Sequence, residues 1–171
     1  MPYSRFPIPI NFMPTEADKF SWFQIPEDIK KLLILAAENW ENTLESEKYM
    51  NQALAKTGEN TDVLVAAYRY FFYKNNYTMA LQTATKVIDR IREVECFPLE
   101  WEQLKPILAS RKDDFRIRLY LNAYTASGLV LAKIGEIEKA KEISARVKEI
   151  DGKNEFGASI LYDILTRPEE D

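Results

Sequence analysis

The stretch LNAYTASGLVLAKIGEIEKAKEISARVKEIDG, residues 121–152, decides the fold class. Apolar residues recur along it at intervals of three and four, which places them on one face of an α-helix. Gly135 interrupts the pattern once and Gly152 closes it, and glycine is the usual residue just after a helix end. The stretch therefore predicts two consecutive amphipathic helices joined by a short turn.

The same periodicity extends outward to most of the chain. Helices are predicted over about Glu27–Asn39 and Thr43–Thr57, and an Asn75–Asn76 turn separates the next two. A terminal capping helix is predicted from an apolar stripe between Phe156 and Leu165 that includes Ile160 and Ile164. No segment alternates with a period of two between turn signals. We therefore predict an all-α fold, in which Thr61 or Asp62 and Asp113 or Asp114 cap two of the helices.

Residues 1–26 differ from the rest, because five of the eight prolines of the chain lie there. Proline disfavours helix around it, so an extended N-terminal arm is predicted at 1–26, followed by a helical domain at 27–171. The arm is also rich in aromatic and aliphatic residues. It either packs along its own helices or serves as a partner-binding or dimer-swapping arm.

Composition excludes several classes of function. The chain has 171 residues, 46% of them hydrophobic and 29% charged, and its apolar runs are too short to span a bilayer. The first residues lack the pattern of a secretory signal, and one cysteine builds no disulfide framework, so a cytoplasmic location is expected. With no histidine, and 23 basic against 27 acidic residues, we expect no metal, no cofactor, no catalysis, no nucleic acid and no membrane as partner.

Two segments resemble the tetratricopeptide-repeat family. In residues 61–92 the matching positions are Leu64, Phe71, Asn75, Asn76, Tyr77 and Ala80; in residues 121–152 they are Tyr124, Gly128, Leu131, Gly135, Ile137 and Ala140. The resemblance implies an antiparallel helix-pair solenoid closed by a capping helix. Departures are Tyr68, Arg92 and Gly152, and the two units stand 60 residues apart where the family has 34. A helical bundle without repeats is the alternative.

The family resemblance also implies a groove lined by the first helix of each pair. The residues that it places there are Arg69, Phe72, Tyr73, Arg118, Asn122, Thr125 and Leu129. The two arginines could hold a carboxylate by bidentate bonds. The aromatic run at residues 68–73 would supply anchors for a peptide, or else pack between adjacent helix pairs.

These observations predict a non-catalytic scaffold, an adaptor or chaperone, that binds a segment of another protein. The alternative is a structural subunit or obligate homodimer, and an enzyme is a distant third.

Overall fold

The computed structural model describes residues 25–153 and 155–167. Over this part of the chain every regular element is an α-helix, which confirms the predicted all-α class. The helices are α1 (Glu27–Glu38), α2 (Thr43–Thr57), α3 (Thr61–Tyr73), α4 (Tyr77–Glu95), α5 (Trp101–Ser110), α6 (Phe115–Lys133), α7 (Ile137–Ile150) and α8 (Ala158–Thr166). Residues 1–24, most of the predicted arm, lie outside the described residues, and the arm stays a prediction.

The helices fall into two compact units, and the boundary lies between Thr83 and Ala84, inside α4. In the first unit α1 packs against α2, and α2 against α3. In the second unit α7 packs against both α6 and α8 and also contacts α5. The interior of each unit is built from large apolar and aromatic side chains. The largest are Leu33, Met50, Val63, Tyr70 and Phe71 in the first unit, and Val87, Leu104, Leu108, Ile117, Tyr120 and Leu121 in the second.

A left-handed asparagine makes the turn between α3 and α4. Asn75 has φ 62°, and the backbone N–H of Asn76 donates to the carbonyl oxygen of Phe71 at 2.8 Å. Asparagine tolerates this region better than most residues, and the bond satisfies a carbonyl that the helix end leaves open. The predicted Asn75–Asn76 turn is confirmed.

The turn between α6 and α7 has the same geometry with glycine at the left-handed position. Gly135 has φ 92°, and the N–H of Glu136 donates to the carbonyl oxygen of Leu131 at 2.8 Å. Because glycine has no Cβ, it adopts this conformation without steric cost. The predicted helix stop at Gly135 is confirmed.

Two N-caps refine the sequence analysis. The prediction that Thr61 or Asp62 caps α3 is wrong, because the Asn60 side chain accepts from the backbone N–H groups of residues 62 and 63 at 2.9 and 3.3 Å. Thr61 is instead the first residue of the helix. Of the two candidates before α6, Asp114 is the cap, and it accepts from the N–H of residue 116 at 2.9 Å.

The apolar stripe predicted for the last helix is not the face that it buries. Ala158 and Leu161 are its buried residues, whereas Ile160 and Ile164 are 58% and 54% exposed. Residues three apart lie on one face, and here that face is the one carrying 158 and 161. The orientation of α8 is thus set by its packing on α7 and not by its own most apolar stripe.

Helices α6 and α7 are closely packed at Gly128. A Cβ atom at this position would lie 3.0 Å from Cγ2 and 3.3 Å from Cβ of Ile143. The absence of a side chain at residue 128 therefore favours this close packing.

We expect Gly128→Leu to destabilise the protein by about 1–3 kcal/mol, because the added side chain overpacks the α6–α7 contact. Leucine has the better helix propensity by up to about 1 kcal/mol, so a loss of stability would isolate the steric effect. Urea unfolding followed by circular dichroism measures it. Combining the change with Ile143→Ala should recover much of the loss; a stable single variant would contradict the close packing.

Candidate functional site

An aromatic patch lies where α3 ends and α4 begins in the first unit; we define it as Phe72, Tyr73 and Tyr77. The ring centroids of Phe72 and Tyr73 are 5.6 Å apart at 78°, and those of Phe72 and Tyr77 are 6.1 Å apart. Tyr73 is 36% exposed, and the other two are half-buried. Arg69, half-buried, precedes Phe72 by three residues and Tyr73 by four, so it lies on the same side of α3.

The remainder of the aromatic run belongs to the core. Tyr68 is 5% exposed, Tyr70 0% and Phe71 1%. The run therefore has two roles along one helix: these three residues are buried, and Phe72 and Tyr73 reach the surface.

A lysine braces the helix end that carries the patch. The Lys74 ammonium lies 4.0 Å from the centroid of the Trp40 ring and donates to the Trp40 carbonyl oxygen and, at 3.4 Å, to the Thr43 hydroxyl. Burial lowers the pKa of Lys74. The Trp40 ring in turn packs edge-on against Tyr70 at 5.6 Å. The patch thus sits on a helix end that is fixed to the α1–α2 connection.

A buried hydrogen-bond chain holds the three helices of the first unit together. The Tyr70 hydroxyl donates to Ser46 Oγ at 2.8 Å, and Ser46 Oγ donates to the carbonyl oxygen of Ala36 at 2.7 Å. These residues belong to α3, α2 and α1 respectively. Burial raises the pKa of Tyr70 to about 12.

The four residues predicted on α6, in the second unit, do not form an open surface. Arg118, Asn122 and Leu129 are half-buried, and Thr125 is only 9% exposed. The Thr125 hydroxyl has no hydrogen-bond partner among residues 25–153 and 155–167. In this conformation Thr125 is therefore closed to a partner. The predicted site residues divide between the two units, three in the first and four in the second.

Arg118 already holds a carboxylate of its own chain. Its Nη1 lies 2.7 Å from Oε2 of Glu155, and its guanidinium carbon lies 5.4 Å from the centroid of the Phe156 ring. Arg118 holds the pKa of the Glu155 carboxyl below its usual range. Asp151 fixes this loop by accepting from the N–H groups of Glu155 and Phe156 at 2.7 and 2.8 Å. A partner's carboxylate would compete with Glu155 for Arg118.

A second cluster, absent from the sequence prediction, lies in the second unit. We define the arginine–aromatic cluster as Arg92, Phe97, Trp101, Tyr120, Tyr124 and Arg146. Its rings pack in sequence, with Phe97 to Tyr120 at 5.2 Å and Tyr120 stacked on Tyr124 at 5.8 Å. Arg146 Nη1 donates to the Tyr124 hydroxyl at 3.2 Å, and its guanidinium lies 5.3 Å from the Trp101 ring centroid. Only the Tyr120/Tyr124 spacing of four was visible in the sequence, because tertiary packing assembles the rest.

Burial dominates the electrostatics of this cluster. It raises the pKa of Tyr120 to about 12, against a smaller lowering by the cations of Arg92 and Arg146. Tyr120 is therefore a protonated donor at neutral pH. Arg92 Nη1 is buried and finds no hydrogen-bond acceptor within the part of the chain that the structure describes.

The described residues contain neither a candidate metal site nor a candidate membrane-spanning helix. They contain no group of three or more His, Cys, Asp or Glu side chains that could hold a metal ion. No helix in residues 25–153 and 155–167 is long and apolar enough to cross a bilayer.

Comparison with known proteins finds a relative of this chain. No family model and no solved structure matches it. It is 31% identical over 134 residues to an uncharacterized 19.8 kDa protein in the nifW 5' region of Azotobacter chroococcum mcd 1. The match covers 76% of this chain and 74% of the other. The chain therefore belongs to the same family as that protein.

Tyr70 and Tyr120 make stability depend on pH in the alkaline range. Their pKa of about 12 in the folded protein exceeds the value of about 10 in an unfolded chain, so the unfolded state loses these protons first. Their contribution is complete below about pH 10 and is lost as the pH rises toward 12.

We expect ultraviolet titration to show tyrosines that ionise late, together with a fall in urea stability between about pH 10 and 12. Tyr70→Phe and Tyr120→Phe should each remove part of the late absorbance change. Normal titration of all tyrosines in the folded protein would contradict the burial.

Proposed function

We propose that this protein is a non-catalytic, cytoplasmic scaffold of tetratricopeptide-like helix pairs, which binds an extended or helical segment of a partner protein at the aromatic patch. The observation that carries the proposal is the patch itself: the partly exposed rings of Tyr73 and Tyr77 both pack against Phe72 on a braced helix end.

The repeat interpretation is supported by structural equivalence at a spacing of 60 residues. The left-handed turn residues Asn75 and Gly135 stand at this spacing, and each is followed five residues later by a buried alanine. The second helices then bury matching positions: Ala80 and Ala140, Ala84 and Ser144, and Val87 and Val147. Small residues at equivalent sites allow close approach of helices, as the resemblance implies. This spacing leaves room for α5 and its flanking connections between the two pairs.

The patch has the chemistry of a protein-binding surface. Tyrosine and phenylalanine bring large contact areas with few rotatable bonds, so little conformational entropy is lost when they are buried by a partner. Arg69 on the same side of α3 adds a residue type that is enriched at interface hot spots. The contacts of Lys74 with Trp40 hold the helix end in place before binding, which reduces the ordering cost.

Selection from a random peptide library displayed on phage, against the full chain, tests this proposal. We expect enriched peptides that contain apolar residues, and we expect the double change Phe72→Ala and Tyr73→Ala to weaken their affinity at least about tenfold, because hot-spot truncations cost about 2 kcal/mol or more. Fluorescence anisotropy measures the affinities.

Leu99→Ala is the matched control, since Leu99 is apolar, 87% exposed and outside the patch. It should leave peptide affinity unchanged, and circular dichroism should show all variants folded. Equal affinity in the patch variant and the control would refute the assignment of the patch, and failure to enrich any peptide would count against the scaffold function.

A structural homodimer is the second candidate, favoured by the outer face of α8. Ile160 and Ile164 are one helical turn apart, and both are more than half exposed. Apolar side chains arranged in this way suit a self-complementary contact with a second copy.

Sedimentation from micromolar to nanomolar concentration separates the two candidates. The scaffold proposal expects a folded monomer throughout, identical for the wild-type chain and for Ile160→Gln with Ile164→Gln. A wild-type dimer that the double change converts to a monomer, or that dissociates only with unfolding, would favour the structural role.

A further inference from the structure

One buried guanidinium nitrogen of Arg92 distinguishes the arginine–aromatic cluster from an ordinary core. Arg92 lies in the last turn of α4, and its Nη1 is shielded from solvent without an acceptor among the described residues. An unsatisfied buried polar group costs about 1–3 kcal/mol, and more when it is charged. Such a group in a folded protein calls for an explanation, and one explanation is an ion or ligand that completes it.

Backbone and ring contacts place Arg92 at the Tyr120 end of the cluster. The carbonyl oxygen of Arg92 accepts from the N–H of Phe97 at 3.0 Å, and the Phe97 ring packs edge-on against Tyr120 at 5.2 Å. The positive charge of Arg92 also acts to lower the pKa of Tyr120, against the larger effect of burial. The backbone of Arg92 therefore lies beside the Phe97–Tyr120 ring pair.

The charged groups near Arg92 differ in whether they have a partner of opposite charge. Arg146, the other arginine of the cluster, is paired with Glu142 at 2.7 Å and bonded to Tyr124. Glu95, one turn beyond Arg92, is held by Arg111 and Arg116 at 2.7 and 2.8 Å. Asp89 lies one turn before Arg92 and does not accept a hydrogen bond from Arg92 Nη1. The cluster therefore has a positive group that can accept an anion, while its other charges are already occupied.

We propose that the arginine–aromatic cluster binds a small oxyanion, a carboxylate or a phosphate group, with Arg92 as the principal donor and the Tyr120 hydroxyl as the second. The planar guanidinium matches the geometry of both groups. Tyr120 stays protonated throughout the neutral range and so remains a donor. The apolar rings around the site lower the local dielectric, which strengthens each charge-assisted bond.

Of the two proposed donors, Arg92 is the one that reaches solvent, since Tyr120 is only 1% exposed. Arg92 as a whole is only half-buried, and its side chain is long and unbranched. Rotation of the guanidinium toward solvent lets an anion bind and be drawn in. This site shares no residue with the aromatic patch. The anion-binding proposal is therefore tested independently of the peptide-binding proposal.

Thermal unfolding of the full chain by circular dichroism, at constant ionic strength, tests the site with sodium phosphate, sodium acetate and sodium chloride in parallel. We expect phosphate or acetate, but not chloride, to raise Tm by about 3–6 °C at ten times its Kd. The first two arms distinguish a phosphate from a carboxylate as the preferred group.

Arg92→Met should abolish the shift without lowering Tm in chloride, because the lost Nη1 makes no hydrogen bond. Tyr120→Phe should reduce the shift. Lys86→Met is the matched control, since it removes one positive charge from an exposed position on the same helix and should preserve the shift.

Three results would overturn the proposal. They are no shift with either oxyanion in the wild-type chain, an equal shift in Arg92→Met, and a fall of several degrees in the Tm of Arg92→Met in chloride. The last result, including outright failure to fold, would assign Arg92 to structural packing.

Discussion

Reversal of the chain at two left-handed residues is the constraint on which the helix pairs depend. Asn75 and Gly135 each turn one helix into the next within three residues, with the same backbone bond from the following residue back across the helix end. In the second unit, the turn at Gly135 brings α7 back against α6. The small residue Ala140 is buried on α7, and Ala80 is buried at the equivalent position of α4.

Periodicity and turn chemistry are local, and they predicted the bounds of α1 and α2 to within one residue. The observed bounds of α2, Thr43–Thr57, equal the predicted ones, and α6 ends just before Gly135 as predicted. The cap of α3 was misplaced because Asn60 and Thr61 are both good caps, and only geometry selects between them. The face of α8 was mispredicted for a different reason, since the neighbouring α7 decides which of its apolar residues are buried.

The interior of the first unit could not be derived from spacing, because its decisive bonds are long-range. Tyr70 reaches Ser46 across 24 positions, and Lys74 reaches Trp40 across 34. No local sequence pattern predicts contacts between residues this far apart in the chain. They also explain why a helix with six consecutive aromatic or arginine residues is tolerated: the inner rings are bonded or packed, and the outer rings are left as a surface.

Arg118 and Arg92 show how much of a functional prediction can be made from residue type alone. Arg118 was expected to hold a carboxylate and does so, but the carboxylate is Glu155 of the same chain. Arg92 was noted in the sequence only as a departure from a family pattern, yet its buried Nη1 finds no acceptor among residues 25–153 and 155–167. Side-chain type fixes which group an arginine can bind, whereas tertiary structure fixes whether that group comes from the chain itself. An arginine that the fold leaves without an acceptor is therefore the more informative of the two.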